Sequence, residues 1–128
     1  MDIQGKVFIV TGGASGLGEG TARALAATAG LAVLEILEAE QLVAKVAERA
    51  VAWHAELRQL VSLRPDLVKE VRGAGYMVGV ILAVDPVPVV AALREAGLLT
   101  APAGGVAVRL LPPLNASPAE LAEAVAIL

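Results

Sequence analysis

From Leu31 to Leu60 the apolar side chains recur at Leu34, Leu37, Leu42, Val46, Ala50, Trp53, Leu57 and Leu60. Those intervals follow the 3.6-residue turn of an α-helix and set one apolar stripe along it. The opening stretch, "LAVLEILEAE" at 31–40, is built from Ala, Leu and Glu, all strong helix formers. The spacing predicts a helix with a bend near Glu40–Leu42. A competing reading makes residues 31–40 the second strand of a βαβ unit. Period-two alternation is missing there, so the helix is favoured.

An apolar helical stripe needs another element to cover it, and the flanks read as strands and helices. Pro65 in "RPD" pushes the residue before it out of α space and ends the helical run. "VKEVRGAGYMVGVILAV" then sets glycines at 73, 75 and 79 among apolar β-formers, as one long strand or two joined through Gly73–Gly75. Asp85 suits the cap of a following helix, with Pro86 at its first position and Gly97 just past its end. "LLTAP" and "VAVRLLPPL" read as strands around a Gly104-Gly105 turn, and "SPAE" at 117–120 is a capping box opening a terminal helix over Pro118–Leu128. Near the start, Val7, Phe8, Ile9 and Val10 read as a buried strand that ends at Gly12-Gly13. A helix should follow from about Gly16, with Leu17, Ala24 and Leu25 on its inner face.

The resulting order is β-α-α-α-β(β)-α-β-β-α. It predicts an α/β (α+β) fold, a mixed, largely antiparallel sheet covered by helices, with an N-terminal Rossmann-like βα unit. One domain over residues 1–128 is expected. Val7–Val10 should pair into the sheet of Val78–Leu82 and Val106–Leu110, because an isolated apolar strand would leave its amides unsatisfied.

Composition narrows the function classes. The chain is 57% hydrophobic, yet Phe8, Trp53 and Tyr76 are its only aromatics. No uninterrupted apolar run reaches the ~18 residues of a spanning helix, and "MDIQGK" has no basic leader. A soluble, cytoplasmic domain with no membrane partner is expected. There is no cysteine, which removes disulfides, thiolate metal sites and cysteine nucleophiles, and no metal site is expected. A net charge of −3 and three scattered aromatics argue against nucleic-acid partners.

"TGGASGLG" from Thr11 to Gly18 fits TGxxxGxG, and residues 1–29 resemble the strand–turn–helix that opens short-chain dehydrogenases/reductases. Gly12 permits a tight turn, Gly16 lets backbone approach a pyrophosphate, and Gly18 allows close helix–strand packing. Gly12, Ser15, Gly16 and Gly18 are therefore the candidate cofactor contacts, in vestigial form, for weak NAD(P) or phosphate binding. The family's Tyr-x-x-x-Lys pair is missing, since Tyr76 is followed four residues on by Val80. Glu38 stands where a ribose-binding acid belongs by count, but on a helix it cannot sit at a strand's carboxyl end.

From about residue 31 the chain is similar to a second family. "LAVLEILEAE", "VKEVRGAGYMVGVIL", "VVAALREAGLLTAPAGG" and "VAVRLLPPLNASPAELAEAVAIL" resemble, in order, the C-terminal small domain of class III pyridoxal-phosphate aminotransferases, nearest the acetylornithine aminotransferase branch. The resemblance implies a small α/β domain with a largely antiparallel sheet. It also implies that Arg109, in "VRLLPPL", holds a substrate α-carboxylate, a task suited to two parallel guanidinium hydrogen bonds. The lysine, aspartate and phosphate clamp of that family belong to its large domain, and Lys6, Lys45 and Lys69 match none of them.

Other candidates are weaker. His54 lies beside Trp53 in the helical run with no nucleophile partner by motif, and Glu35, Glu38 and Glu40 read as a solvated helix face. Two catalytic families are thus represented without either catalytic set. The expectation is a recombined or engineered chimera spliced between Ala26 and Leu34: not an enzyme, with no catalytic residue and no cofactor. The alternatives are a small nucleotide- or phosphate-binding module using the glycine turn, and an amino-acid-binding fragment using Arg109. Self-association into a homo-oligomer is expected, because a small domain cut from its large one exposes contact surface.

Overall fold

The computed structural model describes residues 16–128. The strand read at Val7–Val10, its pairing into the sheet, and Gly12 and Ser15 lie outside the described residues. Contacts gather into two compact units that divide between Gln41 and Leu42. The single-domain expectation had no sequence signal against it, for no linker composition marks that point.

In the first unit, helix α1 runs over Gly16–Ala39 and contains no buried residue. The helical reading of residues 31–40 therefore replaces the strand alternative. The inner face expected around Leu17 does not form, since Leu17 is 93% exposed. An 18-residue window of α1 has a mean hydropathy of 1.4, long and apolar enough to cross a membrane by length and composition. Reading for uninterrupted apolar runs misses this, because small residues between the leucines sustain the average. Thr21 and Thr28 fold their hydroxyls back onto the carbonyls of Leu17 and Ala24, and Arg23 pairs with Glu19 at 2.7 Å one turn away.

The expected bend is a true break. Gln41 takes φ +52, and its amide donates to the carbonyl of Glu38. A residue in the left-handed region ends a helix, and for a side chain other than glycine that backbone is uncommon.

The second unit is a sheet with helices on one side. Helix α2 (Leu42–Leu63) is followed by β1 (Val68–Ala74), β2 (Met77–Leu82), α3 (Pro86–Glu95), β3 (Ala101–Ala103), β4 (Ala107–Leu110) and α4 (Pro118–Ile127). The strands order as β1-β2-β4-β3, every pair antiparallel. The two-strand reading of residues 68–84 holds, with the turn at Gly75–Tyr76. Gly73 is required where it stands. At φ +146, a Cβ on it would collide with the backbone carbonyl of Met77 across the hairpin.

Alternation along the strands decides which face is covered. Val78, Val80, Val108 and Leu110 are buried and pack with Trp53 and Leu57 of α2, Leu93 of α3 and Leu121 of α4. The neighbours between them, Met77, Gly79 and Arg109, point to the other face, which no helix of this unit covers.

The helix ends form as their residues dictate. Asp85 accepts the amide of Val87 at 3.0 Å, Pro86 opens α3, and Gly97 follows the helix at φ +96. At α4, Ser117 accepts the Glu120 amide at 3.2 Å while Glu120 accepts the Ser117 amide at 2.7 Å. That backbone hydrogen bond holds the Glu120 carboxyl below its ordinary range. A depressed carboxyl contributes stability above its unfolded pKa and loses it as pH falls through the folded value. Ser117→Ala should therefore cost about 1 kcal/mol in urea unfolding at neutral pH. Glu120→Gln should flatten the acid side of the stability profile. An unchanged profile in that variant would refute the assignment.

Candidate functional site

The open face of the sheet carries the candidate site, and its layout follows from register. Directly opposed residues of antiparallel strands share a face. Arg109 on β4 lies opposite Gly79 on β2 and Ala101 on β3, and Gly79 lies opposite Arg72 on β1. One row across the face therefore reads Arg72, Gly79, Arg109, Ala101. The next row reads Glu70, Ile81, Ala107, Ala103.

Arg109 is exposed, while Val108 and Leu110 on either side of it are buried. The strand is thus anchored through its neighbours and presents the guanidinium outward. None of the ion pairs among the described residues involves Arg109. Its flanking residues, glycine and alanine, leave the space beside it open. What such an arrangement can do chemically is grip a carboxylate with a planar fork of donors.

Arg72 ends the same row, and its Nη2 lies 2.7 Å from Glu70 Oε2. The hydrogen bond from Arg72 holds the Glu70 carboxyl below its ordinary range, and Glu70 raises the arginine in return. Both side chains are largely exposed, at 67% and 50%. Sequence reasoning missed Arg72 and Gly79 as site residues. They stand inside the quoted "RGAGYMVGV", but only strand register brings them beside Arg109.

The other candidates fall elsewhere. His54 is buried, and its Nε2–H donates to the carbonyl of Gly75 at 2.8 Å. A carbonyl can only accept, which fixes the tautomer. The ring thereby ties α2 to the β1–β2 turn, and it stacks edge-on to Trp53 at 6.0 Å. His54 is a structural staple. Glu35, Glu38 and Glu40 are exposed on α1 and its end, as the sequence implied. Gly16 is the first residue of α1 at φ +59, and Gly18 lies in its first turn. No group of acids and histidines able to hold a metal occurs among the described residues. Lys45 on α2 and Lys69 on β1 are exposed, and neither stands in a row with Arg109. The described residues therefore do not by themselves fit a pyridoxal phosphate: no lysine faces the arginine row.

Comparison with known proteins extends the picture beyond this chain. Residues 18–128 match the family described as aminotransferase class-III. The acetylornithine aminotransferase of Synechocystis sp. is 40% identical over 108 residues, covering 81% of this chain and 25% of that protein. Among solved structures, the acetylornithine aminotransferase of Elizabethkingia anophelis is 28% identical, with a TM-score of 0.70, covering 76% of this chain and 25% of that one. The ornithine aminotransferase of Toxoplasma gondii is 30% identical, with a TM-score of 0.67, covering 73% and 23%, and has PLP at partial occupancy in its active site. The chain spans about a quarter of the length of these relatives.

These findings correct three expectations: that the chain has no catalytic function, that it is not part of an enzyme, and that no cofactor is involved. The matched family is one of aminotransferases that use pyridoxal phosphate. The expectations failed for a physical reason. A catalytic set is assembled from residues distant in sequence, so its absence from a quarter of the family's length does not argue against catalysis. The chimera without activity falls with them, and so does the nucleotide-binding module offered beside it. The family match begins at residue 18, inside the segment read as dehydrogenase-like.

Proposed function

The chain belongs to the aminotransferase class-III family, and on that premise we propose that it is the carboxylate-gripping part of a cytoplasmic pyridoxal-phosphate aminotransferase acting on an amino acid of the ornithine class. The observation that carries this reading is Arg109. It is an exposed guanidinium on a strand anchored by buried neighbours, flanked on both sides by residues too small to obstruct a ligand. The cofactor supplies the electron sink for amino-group transfer. The residues here bind and orient: Arg109 holds the α-carboxylate, and the helices behind the sheet keep that strand from shifting. The groups that hold the cofactor belong to the remaining three-quarters of the family's length.

A domain graft tests the proposal. Residues 31–128 replace the corresponding segment of the Synechocystis acetylornithine aminotransferase, and transamination of acetylornithine is assayed. The hybrid is expected to turn over. A folded, cofactor-loaded hybrid without activity would overturn the assignment.

The same reading includes self-association. Leu31, Leu34 and Ile36 of α1 are 60%, 57% and 50% exposed, and in the other unit Met77 and Leu111 are each 62% exposed. Apolar patches beyond a few hundred Å² mark contact surfaces. The 128-residue chain alone should therefore form a dimer or higher oligomer at micromolar concentration. Light scattering that finds a monomer across that range would refute it.

A further inference from the structure

The segment Leu111–Ala116 follows the strand that carries Arg109 and lies between β4 and α4. Pro112 and Pro113 have no amide hydrogen, so neither can join a sheet edge as a donor. The segment is tied at its far end instead. Arg49 of α2 is half-buried and donates from Nη1 to the carbonyl of Ala116 at 2.7 Å. Ala116 is itself buried, and its amide donates to the Pro113 carbonyl at 3.0 Å. None of the ion pairs among the described residues involves Arg49. A charged donor is thus committed to one loop carbonyl.

We infer that Arg49 is a positioning residue for the substrate site, acting through this segment on Leu111. The inference rests on the reading of Arg109 as a carboxylate grip and adds what fixes the wall beside it. Leu111 lies two residues beyond Arg109, about 7 Å along the chain, and is largely exposed. An apolar side chain at that distance meets the carbons of a ligand whose carboxylate Arg109 holds.

The prolines make the link between Arg49 and Leu111 stiff. Each ring fixes φ at roughly −65°, and the hydrogen bond from Ala116 to Pro113 closes the turn that follows them. Moving Ala116 therefore moves Leu111, because little between them can absorb the change. Without Arg49 the buried Ala116 carbonyl becomes an orphan acceptor, and the segment must shift to hydrate it. Room for that shift exists. A cleft of about 340 Å³ borders the segment, lined by Leu98, Leu99, Leu111, Pro112 and Ala124 among others.

Arg49→Met keeps the aliphatic stem and removes the donors. In the full chain, methyl NMR should show the Leu111 signals shifted by this change, while the Arg109 Nε–H response to acetate stays the same. Acetate is the probe because it fills the grip and is too short to reach Leu111. In the graft hybrid, Arg49→Met should raise KM for acetylornithine about ten-fold and leave kcat within about two-fold, the pattern of lost binding. Arg49→Lys should recover most of that loss, since one charged donor serves a carbonyl. Leu111→Ala, on an exposed side chain, should raise KM likewise. Adding Arg49→Met to it should raise KM little further, because both act on one contact. A lower urea midpoint with KM unchanged would make Arg49 a tether of the fold alone and overturn the inference. Equal weakening of acetate would overturn it too, by placing the effect on Arg109 itself, and so would additive effects of the two substitutions. Acetate that leaves the Arg109 signal of the unaltered chain unmoved would overturn the grip, and this inference with it.

Discussion

Arg109→Gln in the graft hybrid lowers kcat/KM for acetylornithine by about a hundred-fold or more. Each hydrogen bond to a charged group is worth about 1.5–3 kcal/mol, and a bidentate grip makes two of them. The substitution leaves the substrate carboxylate with at most one neutral donor. Its loss should appear mainly in KM if the grip is equally strong in ground and transition states, and in kcat as well if it orients the amino group for reaction. Arg109→Lys separates charge from shape. It keeps the positive charge on a strand whose buried neighbours are untouched, but cannot present two parallel donors. An intermediate loss of about ten-fold is expected there. Full activity in Arg109→Gln, with the hybrid folded and loaded, would show that the carboxylate is held elsewhere.

The sequence displayed Arg109 through its motif, but not the surface around it. Helical spacing was legible from Leu31 to Leu60 because each apolar residue repeats one local relation, and the break at Gln41 fell where the period faltered. The caps at Asp85 and Ser117 were equally local, each set by residues within a single turn. Strand register is different in kind. Arg72, Gly79 and Arg109 are brought into one row by ladders between separated segments, and nothing in the spelling of any one strand announces its partner's alignment. The burial of His54 was hidden for the same reason, since its partner is a carbonyl 21 residues away in a hairpin turn. Catalysis was misjudged at a larger scale still. The motif around Arg109 has no catalytic partner among the described residues, and the chain spans about a quarter of the length of its relatives.

Leu57→Ala should be the most destabilising single truncation in the Leu42–Leu128 unit. Leu57 has 0% exposure, and it sits in the same cluster as Trp53 of its own helix and Val78, Val80 and Val108 of the covered sheet face. Removing a fully buried leucine side chain costs about 2–5 kcal/mol, part of it the lost transfer energy and part the cavity left behind. Small domains have total stabilities on the order of 5–15 kcal/mol, so one such change consumes a large fraction. Leu63→Ala provides the contrast on the same helix. At 69% exposure that side chain has little to lose, and the change should stay within about 0.5 kcal/mol. Leu57→Met, which nearly conserves volume, should cost less than about 1.5 kcal/mol. Urea unfolding followed by Trp53 fluorescence measures all three, because the indole packs in the cluster being perturbed. The functional consequence follows from the strand geometry. Val108 and Leu110 hold β4 against this core and so hold Arg109 outward between them. A cavity at Leu57 should therefore weaken carboxylate binding, although the arginine itself is untouched. Equal losses of stability in Leu57→Ala and Leu63→Ala would mean that α2 does not pack on the sheet by the face described, and the anchoring of Arg109 would need another explanation.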